Sequence, residues 1–287
     1  MTSQRDSSPI RPSGEGAAPA LSVVVPAYNE RENVAPLLER IHKALKKKGF
    51  PYEIIVVDDG STDGTFERLR QAQQTDPCLR VGRFAENRGQ THAMAAGFRL
   101  ARGQAVATLD ADLQNNPEDI LRLLPLLDRW DAVCGIRARR NDNWFRRLSS
   151  KIGNGFRNWV TRDDIVDTGC TLKVYRRECV QDLELYRGLH RFLPTLIKMR
   201  GWRVTQVPVS HSPRLYGKTK YNARNRIWKG MGDCLAVRWM KRNRIALEAV
   251  LEEYDHPATP LESPQGASAR TGARTGDVTT PTSVLKP

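Results

Sequence analysis

Glu53-Ile54-Ile55-Val56-Val57-Asp58-Asp59-Gly60-Ser61-Thr62-Asp63-Gly64-Thr65 is the stretch that decides the fold. Its apolar, β-branched run is short and bounded by turn residues, which suits a strand buried on both faces. The run ends in two acids and passes through a Gly/Ser/Thr turn into a helical pattern at Thr65, with Asp63 placed to cap that helix. A strand feeding a helix through a tight polar turn is the first half of a βαβ unit. At such a strand end, Asp58 or Asp59 is positioned to accept hydrogen bonds from a nucleobase or a ribose hydroxyl.

The same rhythm extends in both directions. Leu21 to Val25 precedes the helical pattern Glu32 to Lys48, Leu79 to Phe84 precedes Thr91 to Arg102, and Ala105 to Leu109 precedes Pro117 to Leu127. Repeated alternation of this kind predicts an α/β fold with a mostly parallel sheet, a Rossmann-like nucleotide-binding domain over residues 20–221. Ligands bind such sheets outside the carboxyl ends of the strands. Tyr28-Asn29-Glu30, Asp58-Asp59, Glu86-Asn87-Arg88-Gly89 and Asp110-Ala111-Asp112 each follow a strand, so all four should gather on one edge. In the second half, Asp131 to Ile136, Thr171 to Tyr175 and Arg203 to Val209 read as strands, and Asn143 to Val160 and Leu189 to Arg200 as helices.

Asp110 and Asp112, one residue apart after a buried run, repel each other, and a divalent cation such as Mg²⁺ or Mn²⁺ relieves that repulsion. Gln114 offers a further amide oxygen. A D-x-D pair alone is also compatible with a solvated loop of helix-capping acids.

The 287 residues carry 46 Lys and Arg against 32 Asp and Glu, a net charge of +14 that attracts an anionic partner: nucleic acid, acidic lipid or phosphorylated substrate. The five cysteines are widely spaced with no C-x-x-C pair, and are expected to be reduced thiols. The first residues lack the apolar core of about 7–15 residues that a signal peptide needs. No run approaches the roughly 18 apolar residues of a spanning helix. The expectation is a chain that is neither secreted by that route nor integral to a membrane by itself. Residues 1–19 and 251–287, rich in Ser, Thr, Pro and Gly, are expected to be disordered. Between them and the α/β domain, residues 222–250 read as a basic amphipathic helix at a membrane interface, with Trp228 and Trp239 among seven cations from Arg224 to Arg244. A second basic and aromatic cluster, Arg137 to Trp159, has the same character.

Taken in order, Val25-Pro26-Ala27-Tyr28-Asn29-Glu30, Val57-Asp58-Asp59-Gly60-Ser61-Thr62-Asp63, Asn87-Arg88-Gly89 and Asp110-Ala111-Asp112-Leu113-Gln114 resemble the inverting family 2 glycosyltransferases of the GT-A fold. Within these the chain is most similar to polyprenyl-phosphate sugar synthases of the dolichyl-phosphate mannose synthase type. The resemblance implies transfer of a hexose from a nucleotide-diphosphate sugar, GDP-mannose or a UDP-sugar, to dolichyl or undecaprenyl phosphate. It implies donor-nucleotide contacts from Pro26, Tyr28, Glu30, Asp58, Asp59, Arg88, Gly89 and Asp110, and a Mg²⁺ or Mn²⁺ ion held by Asp110, Asp112 and Gln114. Arg214-Leu215-Tyr216-Gly217-Lys218-Thr219-Lys220 is similar to the family's Arg-x-x-Gly-x-Ser-Lys loop. This implies that Arg214 and Lys220 assist Asp112 in catalysis and that Lys218 meets the acceptor phosphate; Arg191, at the start of a helix, and Lys173 are the further residues expected at that phosphate. Lys173 stands where many relatives carry Arg after the Asp-x-Gly turn, and so offers a point charge without the bidentate fork.

The resemblance further implies an enzyme peripheral on the cytoplasmic face of a membrane, bound to anionic lipid or docked on a separate integral membrane subunit. Two enzyme alternatives are a saccharide-hydroxyl acceptor, which would require a general base, and a nucleotidyltransferase. A basic nucleic-acid-binding protein is the non-enzyme alternative, and it leaves the carboxylates on the ligand edge unexplained because they would repel a phosphate backbone. The reading adopted excludes nucleic acid as a partner.

Overall fold

Each apolar run of the first half forms a strand and each helical pattern a helix: β1 (Leu21–Ala27), α1 (Val34–Lys46), β2 (Tyr52–Asp58), α2 (Thr65–Gln73), β3 (Leu79–Arg83), α3 (Gln90–Leu100), β4 (Ala105–Thr108) and α4 (Glu118–Leu123). The second half adds β5 (Ala132–Arg137), β6 (Lys173–Arg176), α5 (Leu193–Met199), β7 (Val204–Val209) and α6 (Ala223–Arg242). These elements come from a computed structural model that describes residues 19–137, 155, 157–212 and 223–243. The expectations of disorder at the two ends, of a helix starting at Asn143, and of roles for Arg214, Lys218 and Lys220 fall outside the described residues; 157–161 is helical.

The seven strands form one sheet in the order β3-β2-β1-β4-β6-β5-β7. All pairings are parallel except those of β6, which runs antiparallel to both β4 and β5. Because side chains alternate along a strand, the apolar runs feed two cores at once. Val23, Val25, Ile54, Val56, Ala105 and Ala107 face α1, α2 and α4, whereas Val24, Ile55, Val57 and Val106 face α3 and α5. The α3 layer sits so close that a side chain at Gly97 would meet Val24 Cγ1 at 2.3 Å.

Strand order reverses direction between β1 and β4, and at that switch point the two strands part. Their pairing ends at Val24 and Thr108, although β1 continues to Ala27 beside β2. Pro26, which has no N–H to donate, occupies the β1 stretch beyond that last pair. A crevice therefore opens where ligands bind in sheets of this kind.

At the opposite edge a buried Glu53 ties β2 to its neighbours. It accepts from Ser22 Oγ (2.6 Å), from the Arg102 backbone N–H (2.7 Å) and from Arg80 Nη1 (2.7 Å). Burial alone would raise the Glu53 pKa, but these hydrogen bonds and the Arg80 charge outweigh it and hold the carboxyl below its ordinary value. A depressed folded-state pKa stabilises the fold above the unfolded pKa, and this stability is lost as pH falls through the folded value. Glu53→Ala, which strands Arg80, is expected to cost about 3 kcal/mol at neutral pH. That loss should shrink in denaturant titrations carried down through the acid range, where wild-type Glu53 is itself protonated.

α6 packs on the domain through one of its faces. Cys234 and Val237 are buried against Val160, Leu189, Phe192 and Leu196, while Leu235 and Trp239, one turn apart on another side, are 61% and 67% exposed. Apolar residues thus occupy two faces, because one face is needed for packing on the domain. Arg238 and Lys241 reach across to carbonyls at the end of the 157–161 helix, Val160 and Arg162.

Candidate active site

The carboxyl ends of β1, β2, β3 and β4 and the amino end of the antiparallel β6 share one edge, so the four polar clusters come together as their spacing implied. The turns after β1 and β2 are stitched to each other. Asn29, in a left-handed conformation (φ +52°), accepts from the Thr62 N–H through Oδ1 (2.9 Å) and donates its own N–H to Ser61 Oγ (2.8 Å). Asn favours such a conformation more than most residues do. The Glu30 N–H donates to Thr65 Oγ1 (2.8 Å), and the Glu30 carboxylate accepts from Asn33 Nδ2 (2.5 Å). Asp63 accepts from the Thr65 N–H (2.9 Å), while the residue at the cap of α2 is Gly64 with φ +91°.

The two acids of the β2 turn differ. Asp58 is fully buried, accepts weakly from the Ser61 N–H (3.4 Å) and lies 3.6 Å from Arg83. Burial pushes its pKa up, against the Ser61 hydrogen bonds and the Arg83 charge. Asp59 is turned instead toward the loop before α3, where it accepts from the Arg88 and Gly89 N–H groups (2.8 Å each) and from Asn87 Nδ2 (3.0 Å). Its carboxylate is thus engaged by the loop that leads into α3. Arg88 pairs with Glu86 at the surface (2.7 Å).

Asp110 stands at the mouth of the crevice. Oδ1 accepts from Gln90 Nε2 (2.8 Å) and Oδ2 from Thr171 Oγ1 (2.5 Å). Burial first, and the neighbouring Asp112 second, push its pKa up to about 6, although the Lys173 charge and both hydrogen bonds oppose the shift. Two carboxylates set this close suit a divalent cation, which would offset the charge of both. Asp112, 6% exposed, accepts from the Gln114 N–H (3.2 Å), and Leu113 between them has φ +64°. A left-handed Leu is strained, and this one is held by burial of its side chain and by Arg40, whose Nη1 donates to the Leu113 carbonyl (3.3 Å).

The chain leaving β7 passes beside this loop. The Ser212 N–H donates to the Gln114 carbonyl (2.9 Å), the Ser210 N–H to Asp119 Oδ2 (2.7 Å), and His211 bridges Asn115.

Two acceptor-phosphate expectations meet a different geometry. Lys173 is 2% exposed and its ammonium donates to the Cys170 carbonyl, so its charge lies under Asp110 rather than on an open face. Arg191 pairs with Asp233 of α6 (3.0 Å). Gln90, Thr171 and His211 are site residues the sequence did not single out. Nothing in local spacing marks a glutamine at a helix start or a threonine that is brought in by an antiparallel strand.

A glycosyl transferase family 2 model matches residues 22–184, more than half of the chain, and spans the whole strand-end cluster. The chain belongs to glycosyl transferase family 2. Among curated relatives it is 40% identical over 204 residues to an undecaprenyl-phosphate 4-deoxy-4-formamido-L-arabinose transferase of Serratia proteamaculans (strain 568), covering 70% of this chain and 63% of that protein. It is 36% identical over 228 residues to a dodecaprenyl-phosphate galacturonate synthase of Rhizobium johnstonii, covering 77% and 67%. The chain thus spans less than two thirds of the length of the first of these. Among solved structures it is similar to a mannosyltransferase from Pyrobaculum calidifontis in complex with GDP-Man and Mn²⁺ (24% identity, TM-score 0.55, 77% of this chain and 64% of that one). It is also similar to glucosyl-3-phosphoglycerate synthase from Mycobacterium tuberculosis with Mn²⁺, UDP and phosphoglyceric acid (18%, TM-score 0.60, 77% and 78%). These likenesses establish the GT-A fold.

Proposed function

We propose that this family 2 chain transfers a sugar from a nucleotide-diphosphate donor to a polyprenyl phosphate with inversion at the anomeric carbon. The observation that carries the reading is the Asp110–Asp112 pair at the switch point between β1 and β4, with Asp110 raised toward neutrality until positive charge arrives. The relatives named for undecaprenyl and dodecaprenyl phosphate support the acceptor class. Structures of the same fold in complex with Mn²⁺ and GDP-Man or UDP support the donor class.

In this reading Pro26, Tyr28, Glu30 and Asp58 line the nucleoside end, and Arg88 and Gly89 border the donor. Asp110, Asp112 and Gln114 would hold Mg²⁺ or Mn²⁺, whose chemistry is to neutralise the leaving diphosphate. The chain's own contribution is positioning. Gln90 and Thr171 fix both oxygens of Asp110, and the strained Leu113 sets the backbone between Asp112 and Gln114. Arg214 and Lys220 supply further positive charge where negative charge develops on the leaving group. A phosphate monoester has a second pKa near ~6, so the acceptor oxygen is already ionised at neutral pH and needs no general base. A saccharide hydroxyl would need one.

For the acceptor, a cleft of about 580 Å³ lies between α5 and α6, lined by Leu183, Tyr186, Leu189, Leu196, Met199 and Trp239 among others. Asp233, the partner of Arg191, also borders it. No helix among the described residues is long and apolar enough to cross a membrane. A peripheral position, on anionic lipid or on a separate membrane subunit, is supported by the outward face of α6, where Leu235 and Trp239 accompany Arg242, and the cytoplasmic face is part of the same proposal. Leu235→Ala with Trp239→Ala is expected to release the protein from phosphatidylglycerol vesicles in sedimentation while leaving the buried Cys234 and Val237 contacts intact. High salt should loosen the wild type as the Debye length falls from ~10 Å at 0.1 M to ~3 Å at 1 M. Equal pelleting of mutant and wild type would remove this face from the membrane contact.

The direct test is a panel of nucleotide sugars offered with undecaprenyl and dolichyl phosphate, with extraction of radiolabelled lipid. One donor and acceptor pair giving labelled lipid is the expected result. Label in saccharide alone would move the acceptor to a hydroxyl, and a nucleotidyl product would remove the reading.

A further inference from the structure

The loop that leads into α3 is held from outside its own sequence. No side chain of α3 or of its preceding residue caps the first turn, and the preceding residue, Gly89, has φ +94°. Asp59, 3% exposed and just beyond the end of β2, instead holds the two residues that precede the helix. Oδ1 takes the Arg88 N–H, Oδ2 takes the Gly89 N–H and Asn87 Nδ2, and the Asp59 carbonyl takes Asn87 Nδ2 again (3.3 Å). The Asp59 N–H is itself tied to the Ala27 carbonyl of β1 (2.8 Å). A carboxylate near this end of a helix is also favoured by the helix dipole.

The next residue along α3 is Gln90, whose Nε2 donates to Asp110 Oδ1 at 2.8 Å. The order in space is therefore β1, Asp59, the 87–89 loop, Gln90 and Asp110. We propose that Asp59 is a positioning residue which clamps the start of α3 so that Gln90 presents its amide to Asp110, linking the nucleoside side of the crevice to the carboxylate pair. The link to transfer rests on the function proposed above, whereas the clamp itself does not.

Two measurements test it. In the substrate-free protein, Asp59→Asn places an amide N–H₂ against N–H donors, so exchange of the Arg88 and Gly89 amides should quicken at least tenfold while exchange in the β1 core stays unchanged. In transfer assays, Asp59→Asn and Gln90→Ala should each lower kcat/KM about tenfold, the scale of one hydrogen bond. The double variant should fall no further than the worse single, since both break the same link.

Unchanged exchange at 88 and 89 with only a raised donor KM would make Asp59 a direct donor ligand and overturn the clamp. Additive losses in the double variant would overturn the link to Asp110. If Asp59→Asn does not fold, Asn87→Ala removes one of the three donors and leaves Asp59 charged and buried. It should quicken the same two amides, and failure to do so would overturn the clamp. Quickened exchange in a protein that transfers no sugar would retain the clamp and reject the proposed function instead.

Discussion

Asp112→Asn is expected to reduce sugar transfer by about 10³-fold or more while leaving the fold intact. Losing a charge that holds a divalent ion against a leaving diphosphate removes several kcal/mol of transition-state stabilisation, and ~4 kcal/mol is already a factor of ~10³. The substitution is nearly isosteric, and the retained amide oxygen can still accept from the Gln114 N–H. It also relieves the repulsion that helps hold Asp110 at about 6. Stability should therefore change by less than about 1 kcal/mol, a Tm shift of roughly 2–4 °C at most. Binding of Mn²⁺, followed by electron paramagnetic resonance, should weaken in parallel with turnover. Wild-type turnover by the mutant at low Mn²⁺ would mean that Asp112 does not carry the metal.

The residues on which that expectation stands were legible in the sequence to different depths. Apolar runs such as Ile54 to Val57 and Val23 to Val25 announced strands, because burial on both faces leaves no polar alternation to confuse with a helix. The parallel order placed their following turns, with Asp58, Asp110 and Asp112, on one edge. What stayed hidden depends on partners distant in sequence. Lys173 to Arg176 was recognisable as a strand, but its antiparallel run between β4 and β5 is set by the sheet, and only that run brings Thr171 onto Asp110. Asp59 looked like its neighbour Asp58, yet one turn of backbone aims it at Arg88 and Gly89. Arg191 was visible as a cation, but its match with Asp233 across 42 residues was not. The left-handed Leu113 was likewise unreadable, since leucine disfavours φ +64° and takes it only because the core holds its side chain.

Gly60→Ala should lower kcat/KM by about 10²-fold, and the comparison with Gly49→Ala isolates the reason. Both glycines adopt similar left-handed backbone, φ +69° and +68°, so both alanines carry the same conformational strain. Around Gly49 no heavy atom lies within 4 Å of an added Cβ. A Cβ at Gly60 would instead meet the Glu86 carbonyl carbon at 2.4 Å, the Asn87 N at 2.7 Å and Glu86 Cα at 2.8 Å. These are backbone atoms with no rotamer to yield, so the 86–89 loop must move away from the β2 turn. That displacement would part Asp59 from the Arg88 and Gly89 N–H groups and carry Gln90 off Asp110. A misplacement of about 1 Å in positioning groups costs on the order of 10²-fold in rate. Gly49→Ala, beyond α1 and away from the strand-end edge, should lose about 1 kcal/mol of stability and keep its rate. Measuring kcat/KM and Tm for the two side by side separates strain from displacement, and an equal fall in activity for both would mean that the close approach of the β2 turn to Glu86 has no part in holding the site.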